Sequence, residues 1–102
     1  MNEHVSTQLN RVLTQKARLG IMSILMIMQE TDFIYLKAKL KLTDGNLSTH
    51  LSLLEKEKFI RLRKIFVQKK PKTLCQITER GRRDFLADMD TLEKIIKDIP
   101  HK

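Results

Sequence analysis

The sequence predicts a mainly α fold of the α+β type, in which helices flank a single β-hairpin. Leucines at helical spacing mark a central helix from Thr43 to Glu57. Apolar and basic residues alternate after Phe59, which is typical of strands, and a last helix follows Thr78, which is its expected N-cap. With 102 residues the chain is long enough for one domain with a small core, so we expect residues 1–102 to form a single domain.

Helical patterns also precede the central helix. One begins near Ser6, and a second spans residues 15–29 and either continues the first or breaks from it near Thr14. The apolar centre of the second, LGIMSILMIM, must be covered on more than one side, because a surface helix would show one apolar stripe. We expect a short edge strand at Thr31–Ile34 and a short helix at Tyr35–Lys41.

The central helix has two distinct faces. Thr43 is a good N-cap, and Asp44 follows in the first turn, where negative charge suits the helix dipole. Leu47, Leu51 and Leu54 form an apolar stripe, and the short helix before Thr43 carries leucines for the same core. Two helices joined by such a short turn form a helix-turn-helix.

The face opposite the leucines carries mostly short polar residues beside Gly45. Short donors and acceptors at a position of close approach suit contacts with base edges. An ordinary amphipathic helix with a solvated face would have the same pattern, so this helix by itself leaves both interpretations open.

A β-hairpin is expected next. Ile60 and Leu62 alternate with Arg61 and Arg63, which is the pattern of a half-buried strand. Residues 68–72 are predicted to form a turn with three lysines, and residues 73–78 return as the second strand. A strand pair with a basic turn, directly after a helix-turn-helix, is a wing.

The last helix carries an apolar seam that repeats every three or four residues and is typical of helix pairing. We expect residues 6–29 and 79–99 to form terminal dimerisation helices around a core at about 17–85. The residues assigned to the dimer interface are Leu9, Leu13, Ile21, Met28, Phe85, Met89, Leu92, Ile96 and Ile99.

The net charge of +8 is concentrated in one part of the chain. Residues 56–83 contain 11 Lys and Arg against 2 acidic residues, whereas the other residues together have a net charge of −1. A solubilising surface would scatter its charges, so this localised patch indicates a polyanionic partner.

Several function classes are not expected. The single cysteine, Cys75, cannot form an internal disulfide, and without a signal peptide or membrane span the chain is expected to be cytoplasmic. Cys75 is interpreted as a buried, inert thiol, with redox sensing as the alternative. No catalytic constellation, metal-ligand spacing or cofactor motif occurs, so we expect neither an enzyme nor a cofactor.

The order of these segments resembles the winged-helix transcriptional regulators, in particular a small single-domain group related to the MarR and ArsR families. The resemblance covers about residues 17–85 and is most specific at LTDGNLSTHLSLL (42–54), KKPKT (69–73) and ITERG (77–81). It implies a dimer that binds duplex DNA, with residues 44–50 entering the major groove and the lysines of the wing touching the adjacent backbone or minor groove.

Two departures from the family pattern are informative. Lys41 stands where such regulators often have Gly, so a left-handed backbone there would cost roughly 1 kcal/mol. Metal-sensing relatives carry paired cysteines that this chain lacks, so metal sensing is not expected.

The sequence thus predicts a winged helix-turn-helix that binds double-stranded DNA sequence-specifically as a homodimer, with no membrane partner. A protein-interaction module and a non-specific architectural DNA-binding protein are the alternatives, and the sequence identifies no small-molecule effector. The predicted DNA-binding residues are Thr43, Asp44, Gly45, Asn46, Ser48, Thr49, His50, Ser52, Lys56, Arg61, Arg63, Lys69, Lys70, Lys72 and Thr73.

Overall fold

Four helices and a three-stranded antiparallel sheet make up the chain. The computed structural model describes residues 3–100, with side chains from residue 16 onward. The elements are α1 (Glu3–Met28), β1 (Glu30–Asp32), α2 (Phe33–Leu40), α3 (Asp44–Lys56), β2 (Ile60–Val67), β3 (Lys70–Ile77) and α4 (Glu79–Lys97). The strand order is β1-β3-β2. The predicted winged helix-turn-helix, mainly α with a β wing, is confirmed.

The first helix is continuous over 26 residues, so the alternative of a break near Thr14 is wrong. Neither Gly nor Pro occurs near that position, and nothing local interrupts the helical hydrogen bonds. The helix ends at Gln29, which has a left-handed backbone (φ 66°) and still donates its N–H to the carbonyl of Leu25 at 2.8 Å.

The core lies where α1, α2, α3 and the sheet meet. Ile21 and Leu25 of α1 are fully buried there with leucines of α2 and α3 and with Ile60 and Cys75 of the sheet. The apolar centre of α1 is thus covered on several sides, as predicted. Ile21 was assigned to the dimer interface, and that assignment is wrong because its side chain is enclosed by its own chain.

The edge strand is shorter than predicted. It covers Glu30–Asp32 and pairs with residues 74–76 of β3, whereas Phe33 and Ile34 open α2. The physical reason is a helix cap: the Asp32 carboxylate accepts the backbone N–H of Tyr35 at 2.8 Å. This bond starts the helix two residues earlier than the apolar pattern suggested.

The turn of the hairpin contains only Gln68 and Lys69, not the five residues 68–72 that the sequence predicted. Both residues have positive φ (52° and 65°), which matches the twist of a two-residue hairpin turn. Lys70, Pro71 and Lys72 therefore belong to β3. Pro71 is tolerated there because β1 extends only along residues 74–76 and leaves this part of β3 with an open edge.

The start of α4 is fixed to the end of the α3–β2 connection. Thr78 caps the helix as predicted, accepting the N–H of Gly81 at 3.0 Å, and its hydroxyl donates to the carbonyl of Lys58 at 2.7 Å. A Cβ at Gly81 would lie 2.1 Å from the carbonyl oxygen of Phe59, so only glycine fits. These contacts determine where α4 leaves the core.

Candidate nucleic-acid interface

The third helix presents the predicted polar face to the outside. Thr43 caps it, its hydroxyl accepting the N–H of Asn46 at 3.1 Å. Leu47, Leu51 and Leu54 are 0%, 2% and 3% exposed, which fixes the rotation of the helix about its axis. The opposite side is therefore open to solvent, and its exposed residues are Gly45, Asn46, Ser48, Thr49, Ser52 and Lys56. Asp44 is exposed as well, in the first turn of the helix.

The turn before this helix has the geometry that glycine usually provides. Lys41 is left-handed, with φ 53° and ψ 46°, and ends α2 through a bond from its N–H to the carbonyl of Lys37. A non-glycine residue there carries roughly 1 kcal/mol of backbone strain. The helix-turn-helix geometry is retained although the sequence departs from the family pattern at this residue.

Thr49 and Gly45, both on the exposed face of α3, have different surroundings. The Thr49 hydroxyl donates to the carbonyl of Gly45 at 2.9 Å, so its oxygen remains available as an acceptor. A Cβ at Gly45 would meet no atom within 4 Å, so packing within the chain does not require glycine there.

A cleft separates the start of α3 from the wing. Its α3 side includes Asp44 and Ser48, and its wing side includes Lys64 and Thr73; the complete lining is Asp32, Phe33, Ile34, Asp44, Ser48, Lys64, Pro71, Lys72 and Thr73. The structure thus brings together four predicted site residues, namely Asp44, Ser48, Lys72 and Thr73. Sequence reasoning missed Lys64, although its even spacing from Ile60 and Leu62 places it on the same face of β2.

Other predicted residues lie elsewhere. Arg61 and Arg63 alternate with Ile60 and Leu62 and so lie on the sheet face turned away from the core. Asn46 and His50 line a separate cavity, shared with Lys16, Leu19, Ser23, Leu40 and Leu42, between α1 and the helix-turn-helix.

Two of the predicted wing cations already have carboxylate partners. Arg63 contacts Glu30 of β1 at 2.9 Å, and the Lys72 ammonium lies 3.1 Å from Asp32. The N–H of Tyr35 lowers the pKa of Asp32, and Lys72 lowers it further, although burial opposes both. Asp32 therefore stays ionised at neutral pH and neutralises Lys72.

The remaining wing cations differ in this respect. Among the residues that the structure describes, Lys64, Lys69 and Lys70 form no ion pair.

Asp44, at the start of α3, pairs with Lys37 at 2.7 Å, but both side chains are well exposed and such a surface pair contributes little stability.

Arg18 has a structural role. Its guanidinium contacts Glu57 at 2.8 Å and Asp84 at 3.0 Å, and lies 4.9 Å from the centre of the Phe59 ring. These contacts join α1 to the end of α3 and to α4, and leave Arg18 satisfied within the chain.

Cys75 is fully buried in the core, as predicted. Burial is the main reason that the pKa of its thiol is raised to about 11. The negative charges of Asp32 and Glu55 raise it further. The thiol is thus protonated at neutral pH, and because reactivity requires an accessible thiolate, the structure gives no support to redox sensing.

In the part of the chain that the structure describes, no group of three or more His, Cys, Asp or Glu residues is arranged to hold a metal ion. None of the helices within residues 3–100 is long and apolar enough to cross a membrane.

The predicted dimer seam on α4 is open along most of its length. Phe85 packs against the core and Met89 is partly buried, and both line a cavity that α4 shares with α1. Leu92 (45%), Ile96 (50%) and Ile99 (53%), in contrast, are exposed. Met28 is also exposed, and the side chains of Leu9 and Leu13 lie outside the described residues.

Comparison with known proteins agrees with this geometry. The chain is 38% identical over 72 residues to an uncharacterised protein of Methanocaldococcus jannaschii, covering 71% of this chain and 78% of the relative. A transcriptional regulator homologue from Pyrococcus horikoshii OT3 superposes with a TM-score of 0.78 at 28% identity, over 97% of this chain and 100% of that one.

A PadR-like transcription factor from Bacteroides fragilis shares the fold, with a TM-score of 0.72 at 17% identity over 95% of this chain and 99% of that chain. The family model described as a winged helix DNA-binding domain matches residues 17–96, which is most of the chain. The protein therefore belongs to the winged helix DNA-binding domain family and resembles transcriptional regulators.

Proposed function

We propose that this protein regulates transcription as a homodimer that binds double-stranded DNA sequence-specifically. The observation that carries the proposal is the cleft between α3 and the wing. One wall is the exposed polar end of α3, and the other is the inner wing face with Lys64. Such a cleft suits a duplex whose major groove receives α3 and whose neighbouring backbone meets the wing.

Sequence preference would come from α3. Ser48, Thr49 and Ser52 are exposed and short, so they allow the helix backbone to come close to base edges. The open space beyond Gly45 supports the same role, because a bulky side chain there would hold the helix away from the groove.

Affinity would come mainly from the wing lysines without intramolecular partners. Lys64, Lys69 and Lys70 are available to neutralise phosphates, whereas Lys72 and Arg63 must first leave Asp32 and Glu30. Lys56, exposed in the last turn of α3, is placed to reach the backbone at the far end of the groove. These phosphate contacts position the protein without reading sequence.

Dimerisation would use α4. Its second half exposes a row of apolar side chains that the described part of the chain leaves uncovered, and a second copy of α4 would cover them. In a two-fold dimer, two α3 helices would read two half-sites of the DNA. The specificity would then exceed that of a single α3 on a single half-site.

Selection of bound sequences from random duplexes, followed by titration of the salt concentration, tests the proposal. We expect selection to recover one recurrent DNA sequence with two-fold symmetry. The protein should bind it at least about 10³-fold more tightly than random DNA, and its affinity should fall as the salt concentration rises. Salt-sensitive binding without a preferred sequence would favour an architectural protein. Weak, salt-insensitive binding would favour a protein-interaction module.

A further inference from the structure

The wing ends in an aromatic residue that its own chain hardly covers. Phe66 is 74% exposed, one strand position before the end of β2. An exposed phenylalanine does not gain the free energy that burial of a large apolar side chain provides. Phe66 therefore does not stabilise the isolated chain. Its neighbours on the same face of the hairpin are Lys64, Pro71 and Thr73, and the turn beyond it consists of Gln68 and Lys69.

The strand register shows which way Phe66 faces. Even-numbered residues of β2 share one face, and on it Ile60 and Leu62 pack in or against the core while Lys64 lines the cleft beside α3. Phe66 is the next residue on this face. Its partner across the hairpin is Pro71, which also lines the cleft. The wing therefore presents an apolar pair on the side of α3, just beyond the proposed DNA-binding cleft.

The hairpin fixes the backbone of this pair. The two-residue turn makes Val67 and Lys70 the closing, hydrogen-bonded pair, so Phe66 and Pro71 form the next, non-hydrogen-bonded pair, whose side chains stand closest together. The proline ring fixes its own backbone angle as well. Because this backbone is already fixed, the tip loses little backbone conformational entropy when it enters a narrow groove.

We propose that Phe66 and Pro71 form an apolar wedge that enters the minor groove beside the site read by α3, partly unstacks one base step and bends the duplex. The inference rests on the proposed function. Apolar side chains of this kind act as wedges in minor grooves, and the lysines on either side of the tip are placed to hold the flanking phosphates. The wedge adds a preference at flanking base pairs that α3 does not reach.

The minor groove makes this preference testable. There a G·C pair differs from an A·T pair by the guanine amino group, which narrows the space for a wedge. Inosine lacks this group but presents the same major-groove acceptors as guanine. The wild type should bind a selected duplex with flanking I·C pairs about tenfold more tightly than one with G·C pairs, the scale of one good base contact.

Phe66→Ala should abolish the difference in affinity between the I·C and the G·C duplexes. It should also reduce the bend, which is measured by the gel mobility of duplexes with the site at their centre or end. Phe66→Leu should keep most of the bend, because leucine also acts as a wedge. Val67→Ala is the matched control: Val67 is exposed on the opposite face of the same hairpin, and both properties should stay unchanged. The thermal melting of all three variants should match that of the wild type.

A Phe66→Ala variant that keeps both the bend and the inosine effect would overturn the wedge. The proposed function would still stand if that variant and the wild type shared a preference for the selected sequence. If the wild type neither prefers a sequence nor bends DNA, both proposals fail together.

Discussion

The helices α3 and α4 carry similar apolar stripes, but the fold treats them differently. Leu47, Leu51 and Leu54 of α3 are at most 3% exposed, whereas Leu92 and Ile96 of α4 remain about half exposed. The chain covers the first stripe with α1, α2 and the sheet, but α4 runs beyond the core after Phe85. The same periodicity thus marks an internal core in one helix and, on our proposal, an interface between subunits in the other.

The largest expected effect is on the buried stripe. Leu51→Ala should lower the free energy of unfolding by about 2–5 kcal/mol through the cavity that it leaves. Leu53→Ala, on the same helix but 49% exposed, should change it by less than about 0.5 kcal/mol. Urea denaturation of both variants provides the comparison, and similar losses would mean that the stripe does not distinguish core from surface.

The second test concerns the exposed stripe. Replacing Leu92 and Ile96 with Glu should give folded monomers or unfolded chain, because two charges would be buried at the proposed dimer interface. Sedimentation at micromolar concentration measures the oligomeric state. Ala87→Glu, also at an exposed position of α4, is a control for added negative charge. A wild type that is already monomeric under these conditions would contradict dimerisation through α4.

The third test separates the two faces of α3. Changing Thr49 and Ser52 together to Ala should leave the melting temperature nearly unchanged, since both are exposed and alanine favours the helix. Discrimination between the selected and a random duplex should fall by about 1–3 kcal/mol for each lost base contact. If the ratio of affinities at equal salt stays at the wild-type value, this face of α3 does not read sequence.

The smallest effects are expected in the wing. Changing Lys69 and Lys70 to Ala should reduce the slope of log affinity against log salt by up to about 0.9 for each lost phosphate contact, on all duplexes alike. Lys72→Ala should change the slope less, because Asp32 already neutralises that charge at 3.1 Å. An equal or larger effect of Lys72→Ala would mean that DNA displaces Asp32 from Lys72.

Local chemistry made much of the molecule predictable. Thr43 and Thr78 cap their helices as expected, because a cap needs only a hydroxyl and the next three residues. The leucine stripe of α3 fixed which of its faces is buried. These features depend on residues close together in the sequence, where spacing is reliable information. The left-handed turn at Lys41 was expected only from the resemblance to winged-helix regulators.

Tertiary structure decided what depends on distant partners. Lys72 and Arg63 looked like free cations in the sequence, but β1 brings Asp32 and Glu30 beside them, about 30 to 40 residues away along the chain. The two-residue turn set the hairpin register, and a one-residue change of register would turn every side chain to the other face. Register therefore decided that Pro71 and Thr73 lie opposite Phe66 and Lys64. Alternation along β2 already places Lys64 on the face of Ile60 and Leu62, but only tertiary packing brings α3 beside that face.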